Sequence, residues 1–323
     1  MNNPVDGFLE PGTREVLSRQ VLSGARVVGA RWLTGGFSGD TVLLHTDRGQ
    51  EFVLRRYPRR NTCAVEAAVL GLLADRVPVP DVVHANADGT LLGEPFLLTR
   101  FVSGIPLNET FANADEQAGA QLGQSVGQAL AAVSSIRFDR PGFFSGDDLQ
   151  PDARPPDHHD DLPAFIEACL ARAGAGVALS GSERKALVRL AADNAPLTAA
   201  VAGVARLVHA DFNAKNIMVR PDSDGWQVAA ILDWEYAFSG SPLFDVGNML
   251  RYPGELPPGF QHGFLAAYHD SGGALPQHWE EISCALDLFA LSELLTRPAG
   301  HPMAAKALAV LRERIKDRPS RGS

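Results

Sequence analysis

The stretch Leu207-Val-His209-Ala-Asp211-Phe-Asn-Ala-Lys-Asn216-Ile-Met-Val219, followed shortly by Ile231-Leu-Asp233-Trp-Glu235, sets three oxygen-bearing side chains at short fixed intervals. Leu207 and Val208 are an apolar lead-in, and the polar run from His209 to Asn216 does not suit a core strand. Ile217 to Val219 then resumes a β pattern before Pro221-Asp-Ser-Asp-Gly225 turns the chain. A second apolar strand, Val228 to Leu232, delivers Asp233 at its end. Such a hairpin predicts that Asn216 and Asp233 share one end, where two hard oxygens suit Mg²⁺, while Asp211 faces an acceptor hydroxyl and takes its proton. Positioning and charge neutralisation of this kind are what phosphoryl transfer requires.

His209-Ala-Asp211 with Asn216 five residues beyond Asp211, Leu232-Asp-Trp-Glu235, and Ser241-Pro-Leu-Phe-Asp245-Val-Gly-Asn248 resemble the aminoglycoside phosphotransferase and choline kinase family. The resemblance implies an α+β, bilobal, protein-kinase-like fold. Residues 1–103 would form a small antiparallel β lobe with a helix that binds nucleotide, and residues 104–323 a mainly helical catalytic and substrate lobe. It also implies ATP or GTP as co-substrate and Mg²⁺ as cofactor. Trp32 to His45, with Gly35, Gly36, Ser38 and Gly39, resembles the family's hairpin over the phosphates, where glycine lets backbone N–H groups approach an anion. No Gly-Lys-Ser/Thr follows, so it is not a Walker A loop, and taken alone such a pattern is more often an ordinary hairpin turn.

The family usually places Lys on the next strand, oriented by a helix Glu. Here Glu51-Phe-Val-Leu-Arg55-Arg56-Tyr57 offers Arg55, with Glu66 as partner on a helix expected over 61–76. Asn61 or Thr62 is its expected N-cap, and Val65, Val69, Leu72 and Leu73 are its apolar stripe. Arginine keeps its charge and can grip phosphate bidentately, but it is not geometrically interchangeable with lysine. Strand alternation turns only one of Arg55 and Arg56 inward, and register with Val53 favours Arg55. A solvated basic cluster with Arg59 and Arg60 is the competing reading. Phe96 to Gly104 resembles the last strand of the small lobe and its hinge, with adenine against the backbone near Arg100 and Val102; a plain buried strand explains it equally.

A chain of 323 residues with 45% hydrophobic content can bury the core of about two domains. Cys63, Cys169 and Cys284 are far apart and form no CxxC pair, which suggests a reduced, cytoplasmic protein without a disulfide framework. No signal-peptide pattern opens the chain, and Asp287 and Glu293 interrupt the most apolar late segment, so no membrane span is expected. Residues 1–103 carry 11 Lys+Arg and 11 Asp+Glu, while residues 104–323 carry 18 and 27, so the whole net charge of −9 (18 − 27) lies in the second part. That balance argues against nucleic acid and points to a cationic acceptor such as an aminoglycoside. The alternative is that the acids only solubilise the surface. Macrolides, sugars, choline-like compounds and amino alcohols stay open as acceptors, although the Trp and Tyr residues show no spacing that suggests an aromatic cage for choline.

Helices are expected over 115–136, 162–173, 182–192 (capped by Ser182), 260–268, 280–297 and 304–316. The segment 138–163 is too polar for core and is a candidate for facing substrate; within it, His158 and His159 diverge on an extended chain and suit a solvated loop better than a metal site. His209 reads as scaffold, because a carboxylate base is already present. Asp245 and Asn248 read as supports of the catalytic loop. Two other classes remain. A protein kinase needs a long activation segment, for which the 12 positions from Asp233 to Asp245 (245 − 233) leave little room. A non-catalytic pseudokinase is hinted at by Arg55, but all three core oxygens remain.

Overall fold

The computed structural model describes residues 9–33, 40–152, 161–173, 179–223, 225–298 and 300–317. The expectations for Gly35, Gly36, Ser38 and Gly39, and for His158 and His159, lie outside the described residues. Strands β1 (Val27–Trp32), β2 (Asp40–Thr46), β3 (Glu51–Arg56), β4 (Val82–Asn86) and β5 (Phe96–Arg100) form an antiparallel sheet in the order β1-β2-β3-β5-β4. Alternation along β3 explains how both faces are used. Phe52 and Leu54 pack with Val42, Leu44, Phe96 and Leu98 against Leu9, Leu17 and Leu22, on and around helix α1 (Pro11–Val16). Arg55 is thereby turned to the opposite face, toward helix α2 (Cys63–Leu73) between β3 and β4. The N-terminal segment that covers the first face was not anticipated from the sequence.

Helix α2 is shorter than expected at both ends. Thr62 sits at its N-cap position without a side-chain cap bond, and Asn61 Oδ1 accepts from the Cys63 N–H instead. Beyond the sheet, β6 (Ile105–Pro106) leads into the short helix α3 (Leu107–Thr110) and then α4 (Glu116–Ser134), whose N-cap Asp115 accepts from the Ala118 N–H. A stripe at four-residue spacing, Gly119, Gly123 and Gly127, lets α4 pack backbone to backbone on α8 (Phe260–Asp270). A Cβ at these three positions would collide with the carbonyls of Pro258, Phe260 and Phe264. The stripe was not part of the sequence reading.

Strands β9 (Ile217–Asp222) and β10 (Gly225–Ile231) form the expected hairpin, completed by β6 in the order β10-β9-β6. A third sheet joins β7 (Gly142–Phe143), β11 (Phe238–Gly240) and β8 (Arg206–Val208) in the order β7-β11-β8. Helices α5 (Leu162–Ala173), α6 (Gly181–Ala199), α7 (Leu243–Met249), α9 (Trp279–Leu294) and α10 (Pro302–Lys316) complete the mainly helical part. Helix α6 is longer than expected, with Pro196 inside it, and its cap is Ser180 rather than Ser182. The Ser180 hydroxyl accepts from the Glu183 N–H, and Glu183 returns a bond from the Ser180 N–H, a reciprocal box that the sequence Ser-x-x-Glu allows. The result is an α+β, bilobal, protein-kinase-like fold. No helix among the described residues is long and apolar enough to cross a membrane, and all three cysteines are free.

Candidate active site

The loop after β8 is built around a buried carboxylate. Asp245, fully buried in the first turn of α7, accepts from the His209 N–H at 2.7 Å and from the Ala210 N–H at 2.9 Å. Burial pushes its carboxyl up to about 7, against the pull of those two N–H bonds. Asn248 Nδ2 donates to the Ala210 carbonyl at 3.1 Å, which fixes the next peptide, Ala210–Asp211. Ala210 is held at φ 71°, a left-handed conformation that costs a residue with a Cβ about 1 kcal/mol or more. His209 Nδ1 accepts from the Asp211 N–H, so its proton belongs on Nε2, which donates to the Leu232 carbonyl at 2.8 Å. Burial lowers the pKa of this imidazole, consistent with a neutral scaffold that ties the loop to the end of β10.

Asp211 is oriented by two amides. Asn213 Nδ2 donates to Oδ1 and Asn216 Nδ2 to Oδ2, each at 2.8 Å. Sequence reasoning missed Asn213; its signal was the Asp-x-Asn spacing, at which a short amide reaches back two residues. Asn216 and Asp233 stand at the same end of the β9–β10 hairpin: Ile217 pairs with Ile231, and the Leu232 N–H donates to the Asn216 carbonyl. Asp233 itself is left-handed at φ 67°, and the buried Trp234 then donates its indole N–H back to the Ile231 carbonyl.

Arg55 meets three carboxylates: Asp233 at 2.7 Å, Glu235 at 2.9 Å and Glu66 at 3.2 Å. Burial works against its charge, but the three acids outweigh this and raise its pKa above the ordinary guanidinium value. Burial likewise pushes Glu66 up to about 7, opposed by Arg55, and the Tyr57 hydroxyl donates to Glu66 at 2.6 Å. Arg56 goes the other way and pairs with Glu94. The strand face favoured from Val53 is therefore the one that reaches the hairpin. The part taken by Glu235 was not foreseen. Arg100 is exposed at the end of β5, over the ring of Phe52, and neither it nor the half-buried Val102 lines the cleft described next.

Asp211, Asn213, Asn216, Asp233 and Glu235 open onto a cleft of about 1020 Å³. Its charged lining is six basic residues (Arg60, Arg172, Lys215, Arg251, Arg297, Lys306) against five acids (Asp211, Asp233, Glu235, Glu255, Glu293). The acid excess of residues 104–323 is therefore not concentrated here, and the expectation of a negative acceptor pocket finds no seat in the described lining. The remainder is largely aromatic and aliphatic, including Phe143 and Phe144 from the segment suspected of facing substrate.

A carboxylate held by two amides, a second carboxylate at a hairpin end and a buried cation bonded to that second carboxylate thus stand together at the cleft. Residues 30–283 match the phosphotransferase enzyme family, and the chain belongs to it and is a phosphotransferase. Among solved structures it resembles a thermostable variant of aminoglycoside phosphotransferase APH(4)-Ia in ternary complex with ADP and hygromycin B. That match has 16% identity and a TM-score of 0.69, and covers 96% of this chain and 99% of the other. The GDP and kanamycin complex of APH(2")-IIIa matches at 16% identity and a TM-score of 0.66, covering 94% and 98%. Among curated proteins, mouse acyl-CoA dehydrogenase family member 10 is 24% identical over 244 residues, 69% of this chain. The match spans 21% of that protein's length.

Proposed function

We propose that this chain is a Mg²⁺-dependent kinase that moves the terminal phosphoryl group of ATP or GTP onto an alcohol of a small molecule in the cytoplasm. The observation that carries this reading is Asp211, both of whose carboxylate oxygens are fixed by Asn213 and Asn216 at the wall of an open cleft. An acceptor hydroxyl that hydrogen-bonds Asp211 loses its proton to that carboxylate as its oxygen forms the new P–O bond. The bond from phosphorus to the nucleotide's bridging oxygen breaks, and a nucleoside diphosphate and a phosphate monoester leave.

The residues present suit the metal. The amide nitrogen of Asn216 is committed to Asp211, which leaves its Oδ1, with the Asp233 carboxylate, as a hard-oxygen pair. Among the described residues no cluster of three His, Cys, Asp or Glu forms a metal cage, so phosphate oxygens would complete the shell. When bound, Mg²⁺ neutralises phosphate charge. Arg55, oriented by Glu66, would hold phosphate together with Gly35, Gly36, Ser38 and Gly39, and the adenine would lie near Arg100 and Val102. The division between the two lobes falls at about residues 103 and 104 of this sequence.

A second reading, an antibiotic kinase acting on aminoglycosides, is favoured by the hygromycin B and kanamycin complexes of the relatives. The test is nucleotide consumption over a panel of hydroxylated amines, antibiotics, sugars and acids, with and without Mg²⁺, in the wild type and Asp211→Asn. Turnover that needs both Mg²⁺ and Asp211 is expected. Turnover that survives Asp211→Asn at an undiminished rate would remove this reading.

A further inference from the structure

The lining of the acceptor cleft has two properties that, taken together, select a kind of molecule. Its acids other than Asp211 and Asp233 are already matched: Glu293 by Arg172 at 2.9 Å, Glu255 by Lys306, and Glu235 by Arg55. Away from Asp211, an arriving ammonium would have to displace a resident cation to find a carboxylate. Arg297 is placed differently. It shares the lining with Tyr236, and no carboxylate pairs with it among the described residues. The second property is an aromatic wall. Phe143 and Phe238 stack at 5.1 Å between centroids and Phe244 meets Phe238 edge-on at 5.6 Å, all three half-buried in the lining. Faces of this kind bury apolar surface and give little to a heavily hydrated sugar amine.

We propose that the acceptor is a hydroxycarboxylate with a mainly apolar body, its carboxylate on Arg297, its body on the aromatic wall and its hydroxyl at Asp211. This inference rests on the kinase reading above. The guanidinium fork suits a carboxylate bidentately, and the charge-assisted pair forms at the edge of an apolar site, where it is strongest. Polycationic antibiotics would meet an unpaired cation and a wall of rings.

The experiment compares matched probes in the full-length protein: 10-hydroxydecanoate, its methyl ester, 10-amino-1-decanol, mandelate and kanamycin. Binding in the presence of a non-hydrolysable nucleotide and Mg²⁺ is measured by calorimetry, and phosphorylation by nucleotide consumption. The free acids should bind at least tenfold more tightly than the ester or the amine. Arg297→Gln should remove that preference while leaving ester binding unchanged, and Arg297→Lys should restore part of it. Equal binding of acid, ester and amine, no binding of either acid, or a preference untouched by Arg297→Gln would overturn the inference. Asp211-dependent turnover of kanamycin alone would sink it while leaving the kinase reading intact. Failure of Mg²⁺-dependent nucleotide binding would count against the kinase reading itself.

Discussion

Replacing Asp245 tests the claim that the catalytic loop is held by one buried carboxylate. Asp245→Ala strips the acceptor from two backbone N–H groups, those of His209 and Ala210, in a region where the side chains of His209 and Asp245 are themselves fully buried. Each unsatisfied buried donor costs about 1–3 kcal/mol, so the gross loss is about 2–6 kcal/mol. The relief of no longer burying a carboxylate reduces that loss. Asp245→Asn keeps one acceptor oxygen but sets an NH₂ against the second N–H. The pH dependence isolates the group. Its pKa is raised from 3.8 to about 7 in the folded state, so between those values the native protein holds a proton that the unfolded chain releases. Wild-type stability therefore falls as pH rises through that window, by up to about 1.4 kcal/mol per pH unit from this group, and is fully retained below it. Glu66, raised to about 7 by its own burial, adds a slope of the same sign, but it is common to wild type and variant and cancels in the difference. Urea denaturation at pH 5 and 7.5 should show the deficit of Asp245→Asn largest at pH 5 and smaller at 7.5. Turnover should fall about 10²-fold, the expected cost of a displacement of roughly 1 Å at Asp211. A deficit that widens with pH, or a variant with wild-type turnover, would refute the reasoning.

Asp211→Asn removes the proton acceptor and should lower kcat by ~10²–10⁴ with nucleotide affinity nearly unchanged, measured by steady-state kinetics and calorimetry; a near-normal kcat would take Asp211 out of the mechanism. Asp233→Ala should abolish Mg²⁺-dependent nucleotide binding more severely than Asn216→Ala, since it removes an anionic ligand rather than a neutral one, and tight calorimetric binding by Asp233→Ala would contradict the hairpin assignment. Arg55→Ala should raise the nucleotide KM at least about tenfold, whereas Arg56→Ala, which loses the Glu94 pair and the Trp32 ring contact, should change it little; the reverse ranking would place the phosphate contact on the other strand face.

Much of the geometry of the candidate site was legible because it is local. Asp211 and Asn216 lie on one loop, Asp233 follows one hairpin later, and a hairpin's ends are fixed by short-range pairing. Arg55 could be chosen over Arg56 because strand alternation is strict. The acceptor side was not legible, for the opposite reason. Phe143, Phe165, Phe238 and Phe289 come from β7, α5, β11 and α9, and no sequence spacing relates them. Net charge says little about the cleft for a physical reason too: Asp287 is buried between Arg251 and Arg314, and Glu183 pairs with Arg312, so part of the acid excess fastens helices. The glycine stripe of α4 was visible as letters, but its meaning depends on α8, far along the chain, lying across it.

The arginine at position 55 follows from what surrounds it. In the left-handed conformation at Asp233 the chain bends sharply as it leaves β10, and Asp233 and Glu235 both end beside β3. The Nη1 of Arg55 meets Glu66 and Asp233, while Nη2 meets Glu235, so the two arms of one planar fork join α2 to the segment after the hairpin. An ammonium is a single point and could not span these acids in the same way. Under the proposed function, Asp233 cannot give the same oxygen to Arg55 and to a metal ion. Arg55 takes Oδ1, so Oδ2 would be the oxygen left for the metal, and Arg55 would remain anchored by Glu66 and Glu235 as well. Glu235 is then the residue that would make arginine workable here: with Glu66 it holds the guanidinium in place, so that Asp233 need not spend both its oxygens on that cation.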